Sequence, residues 1–246
     1  MKRIIGLAAL LATIVVATLA PLANAQCVTG TGTNVLFKWD ANGFSYEGPG
    51  AYTNYVSPAG NVLNNLAAAT LLCGPLAGLD PNDPTKEYTI VWTGLTSQGT
   101  VTTPFGSSGS KYTTVYLNGT WALYEGAVDA RGYTAGTMPL PGIALPQYAE
   151  TNILLSGPID SLTTVITKSS LGSVNGSFRG RYRITGGSYK NLVCGGSTVP
   201  ALFDGLWYPV APPAGYTGHN NGKFDAPDCS TPSNNSTWGR IKVLYR

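Results

Sequence analysis

Three arginines occupy every second position in Phe178-Arg179-Gly180-Arg181-Tyr182-Arg183-Ile184. In an extended chain successive side chains point to opposite sides, so Arg179, Arg181 and Arg183 share one face and Phe178, Tyr182 and Ile184 the other. A row of guanidinium groups can hold phosphate or uronate groups, because each planar fork donates two parallel hydrogen bonds to an anion. The C-terminal run Arg240-Ile241-Lys242-Val243-Leu244-Tyr245 repeats the alternation, and if Arg240 and Lys242 fall on the same sheet face, five cations line one patch. The competing reading is a solvent-facing strand whose charges block edge-to-edge pairing, and a net charge close to zero favours it.

Other chemistry is sparsely provided for. His219 is the sole histidine, so Ser-His-Asp or Cys-His catalysis would have to pass through it. There is no G-x-S-x-G elbow, and Gly218-His219-Asn220-Asn221-Gly222 reads as a turn carrying a solvated histidine. Paired carboxylates can hydrolyse glycosides without histidine, with Asp40, Glu47, Glu125, Asp129, Glu150 and Asp204 as candidates. With twelve acids in a β-protein, such pairs are not selective evidence. Asp80, Asn82 and Asp83, or Asp225 and Asp228, offer oxygen ligands, but neither group has the spacing of a calcium loop, and turn formation beside proline is the expected role. No cofactor or metal is implied.

Cys27, Cys73, Cys194 and Cys229 are the four cysteines. No C-x-x-C spacing points to a metal site, and an even count in an oxidising compartment points to two disulfides. Of the three possible connectivities we favour Cys27–Cys73 and Cys194–Cys229, each tying a terminal region to the body. The compartment is inferred from residues 1–25. Lys2 and Arg3 precede an apolar stretch that ends in Ala23-Asn24-Ala25, the pattern of a cleaved secretory signal. No second long apolar segment follows, so no spanning helix is expected after cleavage. Removing Lys2 and Arg3 leaves 15 − 2 = 13 basic against 12 acidic residues, and the net charge drops from +3 to +1. The basic balance therefore comes mostly from the signal and gives no argument for a nucleic-acid partner, and none is expected.

The elements that would position these residues read as strands. Only 11% of residues are charged, Gly numbers 31 and Tyr 14, a composition suited to half-buried strands joined by many turns. Residues 35–40, 88–92, 152–155, 162–167 and 178–184 are predicted strands. Gly186-Gly187 is expected to turn the chain into a return strand over 189–193. Asn118-Gly119 is the strongest hairpin signal, between strands at 111–117 and 120–125. Ser57-Pro58 resembles a helix start, and Val62, Leu66, Ala69 and Cys73 follow helical spacing, so one helix is expected over 58–73. Three prolines within 135–148 suggest a crossing loop, and 208–236 reads as a long excursion. Trp39 and Trp92 lie on apolar strand faces and are expected in the core.

The C-terminal residues Asn221-Gly222-Lys223-Phe224-Asp225, Cys229 and Ser236-Thr237-Trp238-Gly239-Arg240-Ile241-Lys242-Val243-Leu244-Tyr245-Arg246 resemble the ending of uncharacterised bacterial secreted proteins. Ile153-Leu154-Leu155-Ser156-Gly157 is similar to the middle region of the same group. The resemblance implies a secreted β-protein and carries over no catalytic residue. Ile184-Thr185-Gly186-Gly187-Ser188 is also similar to a turn motif of allene-oxide-cyclase-like and dirigent-like barrels, which implies a barrel.

The expectation is one secreted, disulfide-bonded, all-β domain over residues 26–246, a barrel or sandwich with one short helix against it. Its expected role is non-catalytic, a structural or interaction protein of the cell exterior or envelope, contacting polysaccharide or another surface protein. A carbohydrate or anionic-polymer binding module is the alternative, and a secreted hydrolase comes third.

Overall fold

The computed structural model describes Cys27 and residues 35–50, 52–106, 109–127, 152–196, 198–208 and 216–229. Residues 1–25, expected to be a signal sequence, Asp129, Glu150, the expected crossing loop at 135–148 and the expected C-terminal strand with Trp238, Arg240 and Lys242 lie outside the described residues.

The chain is all-β. Its strands are β1 (Val35–Gly48), β2 (Val62–Ala68), β3 (Leu71–Leu72), β4 (Lys86–Phe105), β5 (Gly109–Ala127), β6 (Asn152–Lys168), β7 (Val174–Tyr182), β8 (Ala201–Tyr208) and β9 (Gly218–Asp225). They form one antiparallel sheet in the order β2-β4-β5-β6-β7-β8-β9-β1-β3. The ends of the sheet meet because β1 also pairs with β2, Phe44 opposite Leu66 and Glu47 opposite Leu63. The result is a barrel, which removes the exposed edges of an open sheet.

Alternation within each strand sorts the residues. Along β7, Phe178, Gly180 and Tyr182 point inward and Arg179 and Arg181 outward, as the period of two demands. The interior is an aromatic stack. Phe224 lies 4.6 Å from Phe37, 4.8 Å from Phe203 and 4.5 Å from Tyr182, while Trp92 meets Trp39 and Phe203 edge-on at 5.6 and 5.1 Å. Trp39 and Trp92 are buried, as their strand positions predict, and Trp121 is buried with them. Inward glycines make room for these rings. A Cβ on Gly222 would fall 2.7 Å from Phe178 Cζ and 2.9 Å from Trp39 Cη2, and one on Gly205 would strike the Asn221 carbonyl oxygen. Large and small residues thus alternate across facing strands, which lets a narrow barrel close around its own side chains.

Four local expectations are overturned, each by a tertiary pairing. Residues 58–73 do not form a helix, and helical structure among the described residues is confined to short 3-10 turns at Gly74–Leu76, Lys190–Leu192 and Cys194–Gly196. β2 is paired on both edges, to β1 and β4, and nearly all of it is buried, so the apolar spacing served two covered faces rather than one helical stripe. Asn118-Gly119 makes no hairpin, because β5 runs through it with β4 on one edge and β6 on the other. Asn118 keeps the positive φ of 63° expected of a turn residue, and so does Gly94 (76°), where the β4–β5 ladder skips from Thr93–Thr120 to Thr96–Leu117. Residues 189–193 form no return strand, since β6 and β8 already occupy both edges of β7. The 208–236 stretch contains β9, with His219 in a strand rather than a loop.

Both disulfides join the expected partners, Cys27 to Cys73 and Cys194 to Cys229. Asp80 and Asp83 shape their turn as expected, accepting the Asn82 amide at 2.9 Å and the Thr85 amide at 2.8 Å.

Candidate functional site

The outward face of β6, β7, β8, β9 and β1 carries a charged row set by strand register. Thr163 lies opposite Arg179, Arg179 opposite Asp204, Asp204 opposite Lys223 and Lys223 opposite Lys38. Two shallow depressions meet on this row at Ser177, Phe178 and Arg179. One, of about 550 Å³, is lined by Ser161, Thr163, Arg179, Gly180 and Arg181. The other, of about 520 Å³, runs past Asp204, Gly205, Leu206, Asn221, Gly222 and Lys223 to Lys38 and Asp40. Gly205 and Gly222, whose missing side chains would enter the packed interior, show only backbone on this outer face.

Of the five cations expected on one patch, Arg179 and Arg181 stand in the groove. They are exposed, lie roughly 7 Å apart along β7, and have no ion-pair partner among the described residues. Arg183 faces the same side but is taken up by Asp160, with Nη2 at 2.5 Å from Oδ1 and Nε at 3.1 Å from Oδ2. Those bonds and the Asp160 charge raise its pKa further. Arg240 and Lys242 are outside the described residues. Lys38 and Lys223 take their place, two residues the sequence reading did not connect to the arginines. Each is partnered: Lys38 with Asp40 at 3.2 Å, Lys223 with Asp225 at 2.5 Å and Asp204 at 3.4 Å.

Two of the candidate carboxylates, Asp40 and Asp204, border the same open groove, but each is committed to a lysine. Glu125 pairs with Lys86 at 3.2 Å away from the groove. His219 stacks on Tyr208 at 4.9 Å, and partial burial lowers its pKa, which favours the neutral ring. No described nucleophile is hydrogen-bonded to it. The arrangement supplies hydrogen-bond donors, hydroxyls and two guanidinium groups without an ion-pair partner among the described residues, a set suited to holding a ligand.

Comparison with known proteins yields no match: no family model, no curated protein and no solved structure is similar to this chain. The functional reading rests on the residues themselves.

Glu47 is a second polar centre, 9% exposed and pointing into one end of the barrel. Its Oε1 accepts from Ser57 Oγ and, at 3.1 Å, from Asn61 Nδ2, and its Oε2 accepts from Tyr116 OH at 3.0 Å. Ser57 also reaches Ser97 Oγ at 2.6 Å, and Asn61 Oδ1 accepts the Gly50 amide at 2.7 Å. These bonds fasten the 49–61 loop to β1, β4 and β5. Burial outweighs them and raises the Glu47 pKa above its ordinary 4.5. The folded protein thus binds this proton more tightly than the unfolded chain does. The stabilisation is complete below the ordinary carboxylate value and is lost as pH rises through the raised one. Replacing Glu47 by Gln removes this titration. In urea unfolding across a pH series, the wild type should lose stability relative to Glu47→Gln as pH climbs above 4.5; a pH-independent difference between the two would mean that the carboxyl is not held in its neutral form.

Proposed function

We propose that this chain is an exported, non-catalytic interaction protein whose contact face is the groove across β6–β9 and β1, and whose ligand is an acidic polysaccharide. The observation that carries this reading is the pair of exposed arginines, Arg179 and Arg181, at strand spacing on the groove and with no ion-pair partner among the described residues. Two forks set along one strand suit successive carboxylates on a polymer, with Ser161, Thr163 and Asn221 positioned for sugar hydroxyls. The aromatic filling of the barrel supports a ligand outside it. Export is supported by the apolar N-terminal sequence and by the two disulfides, which persist in oxidising compartments.

Binding to immobilised polygalacturonate, with neutral dextran as control, tests this reading. Charged hydrogen bonds contribute about 1.5–3 kcal/mol each. The Arg179→Ala/Arg181→Ala variant should therefore bind at least roughly tenfold more weakly, and the wild type should weaken with added salt. Equal binding by variant and wild type would move the contact face elsewhere. Failure to bind any acidic polymer would leave a structural role.

A further inference from the structure

At the barrel end where β4 turns into β5 and β6 into β7, apolar side chains stand in solvent. Leu171 is 95% exposed, Val101 63% and Phe105 50%. Register brings these tips together: Phe105 lies opposite Gly109, and the adjoining Ser110 lies opposite Lys168. Leu171 does not hang on a loose loop. Its turn is closed by Ser169 N–H to Ser173 O at 2.8 Å, Gly172 N–H to Ser169 O at 3.0 Å and Ser173 N–H to Ser169 Oγ at 3.1 Å. The turn holds the leucine outward. The 52–60 loop joins the same end, with Tyr55 against Tyr112 at 5.5 Å and Lys168 over the Tyr55 ring at 5.7 Å, and it adds the exposed Val56.

Charge is segregated along the barrel axis. No Asp or Glu occurs in residues 48–79, 88–124 or 161–203. Glu47, which the 49–61 loop covers at this end, is buried and hydrogen-bonded to Ser57, Asn61 and Tyr116, while Lys111 and Lys168 stand beside the tips. The acids Asp80, Asp83, Glu87 and Glu125 sit toward the other end of the barrel. Single exposed apolar residues are ordinary on a protein surface. Several on neighbouring tips, beside lysines and, among the described residues, without an exposed carboxylate, form the pattern of a segment that enters the headgroup layer of an anionic bilayer.

We propose that this barrel end docks on an anionic lipid surface, inserting Leu171 and Phe105 while Lys111 and Lys168 meet the headgroups. The attachment is peripheral. A membrane-spanning barrel turns an apolar band outward and keeps its interior polar, whereas β1 and β7–β9 turn Lys38, Asp40, Arg179, Arg181, Asp204 and Lys223 outward and aromatics inward.

Co-sedimentation of the exported chain with vesicles of mixed phosphatidylglycerol and phosphatidylcholine, against pure phosphatidylcholine, is the test. The wild type should partition onto the anionic vesicles, more weakly as salt rises. The Phe105→Asp/Leu171→Asp variant, at exposed positions that leave the fold intact by circular dichroism, should partition about tenfold less or lower, and Lys111→Glu/Lys168→Glu should lose the preference for anionic lipid. The proposal fails if the wild type ignores both vesicle types, or if the folded aspartate variant partitions as the wild type does. It fails equally if these residues instead drive self-association, seen as a concentration-dependent dimer that the aspartates abolish without any vesicle binding.

Discussion

Trp39→Ala should lower the unfolding free energy by about 3–5 kcal/mol, among the largest losses any single substitution can cause here. Trp39 is fully buried at the centre of the aromatic stack, edge-on to Trp92 at 5.6 Å, parallel to Phe178 at 6.2 Å and near Phe224 at 6.1 Å. Removing the indole forfeits its transfer from water and leaves a cavity that neighbouring strands cannot collapse into, since the ring of strands fixes their separation. It also removes the donor to Asn220 Oδ1 at 2.9 Å, and the Asn220 amide in turn donates to Asn65 Oδ1 at 2.7 Å. Trp39→Phe separates the two contributions. It keeps most of the ring and loses the hydrogen bond, so it should cost about 1–3 kcal/mol. Urea denaturation of both variants provides the check. A Trp39→Ala protein that melts with the wild type would show that the barrel is not held from its centre.

Breaking the Cys27–Cys73 bridge should have an effect of similar size. The bridge closes a loop with a sequence separation of 46, and Cys194–Cys229 one of 35. Loop-closure entropy assigns each roughly 4 kcal/mol, nearly alike because the dependence on length is logarithmic. Around the first bridge the Val35 amide donates to Cys27 O at 2.8 Å and the Cys73 amide to Leu36 O at 2.9 Å. The sulfurs therefore fasten the chain segment before β1 to the stretch that follows β3. The Cys27→Ala/Cys73→Ala variant should show a urea midpoint shifted by the equivalent of that energy with an altered m-value, because the unlinked denatured chain exposes more surface. An unchanged midpoint would mean that the bridge carries no stabilisation. Mass mapping without reductant should find no free thiol among the four cysteines.

The groove and the barrel-end tips are set by how the strands are packed. Aromatic rings fill the middle of the interior, glycines stand opposite them, and Arg179, Arg181, Asp204 and Lys223 of those strands face out. The long β4–β5 and β6–β7 hairpins carry their tips past the core, where Leu171 and half of the Phe105 side chain stand in solvent. Groove and tips are thus separate surfaces, and a variant of one leaves the chemistry of the other in place.

Some of this was legible in the sequence, and the division has a physical cause. Period-two alternation is local, so the faces of Phe178 to Ile184 and the burial of Trp39 and Trp92 could be read residue by residue. The disulfide partners followed from cysteine number, the inferred compartment and a preference for tying each terminal region to the body. What failed was everything decided by a second strand. Asn118-Gly119 has the composition of a hairpin, yet its turn conformation is spent inside a strand that neighbours hold on both edges. Residues 58–73 carry helical spacing and become β2 because β1 and β4 satisfy its backbone from both sides. His219 and its asparagines have turn propensities, but barrel closure needs a strand between β8 and β1, and Asn220 is held inside it by hydrogen bonds. The groove lies at the same limit. Arg179 and Arg181 were visible as a pattern, whereas the capture of Arg183 by Asp160 and the arrival of Lys38 and Lys223 beside Arg179 depend on which distant strands become neighbours, a choice made by the packing of the whole barrel and by no local property of the chain.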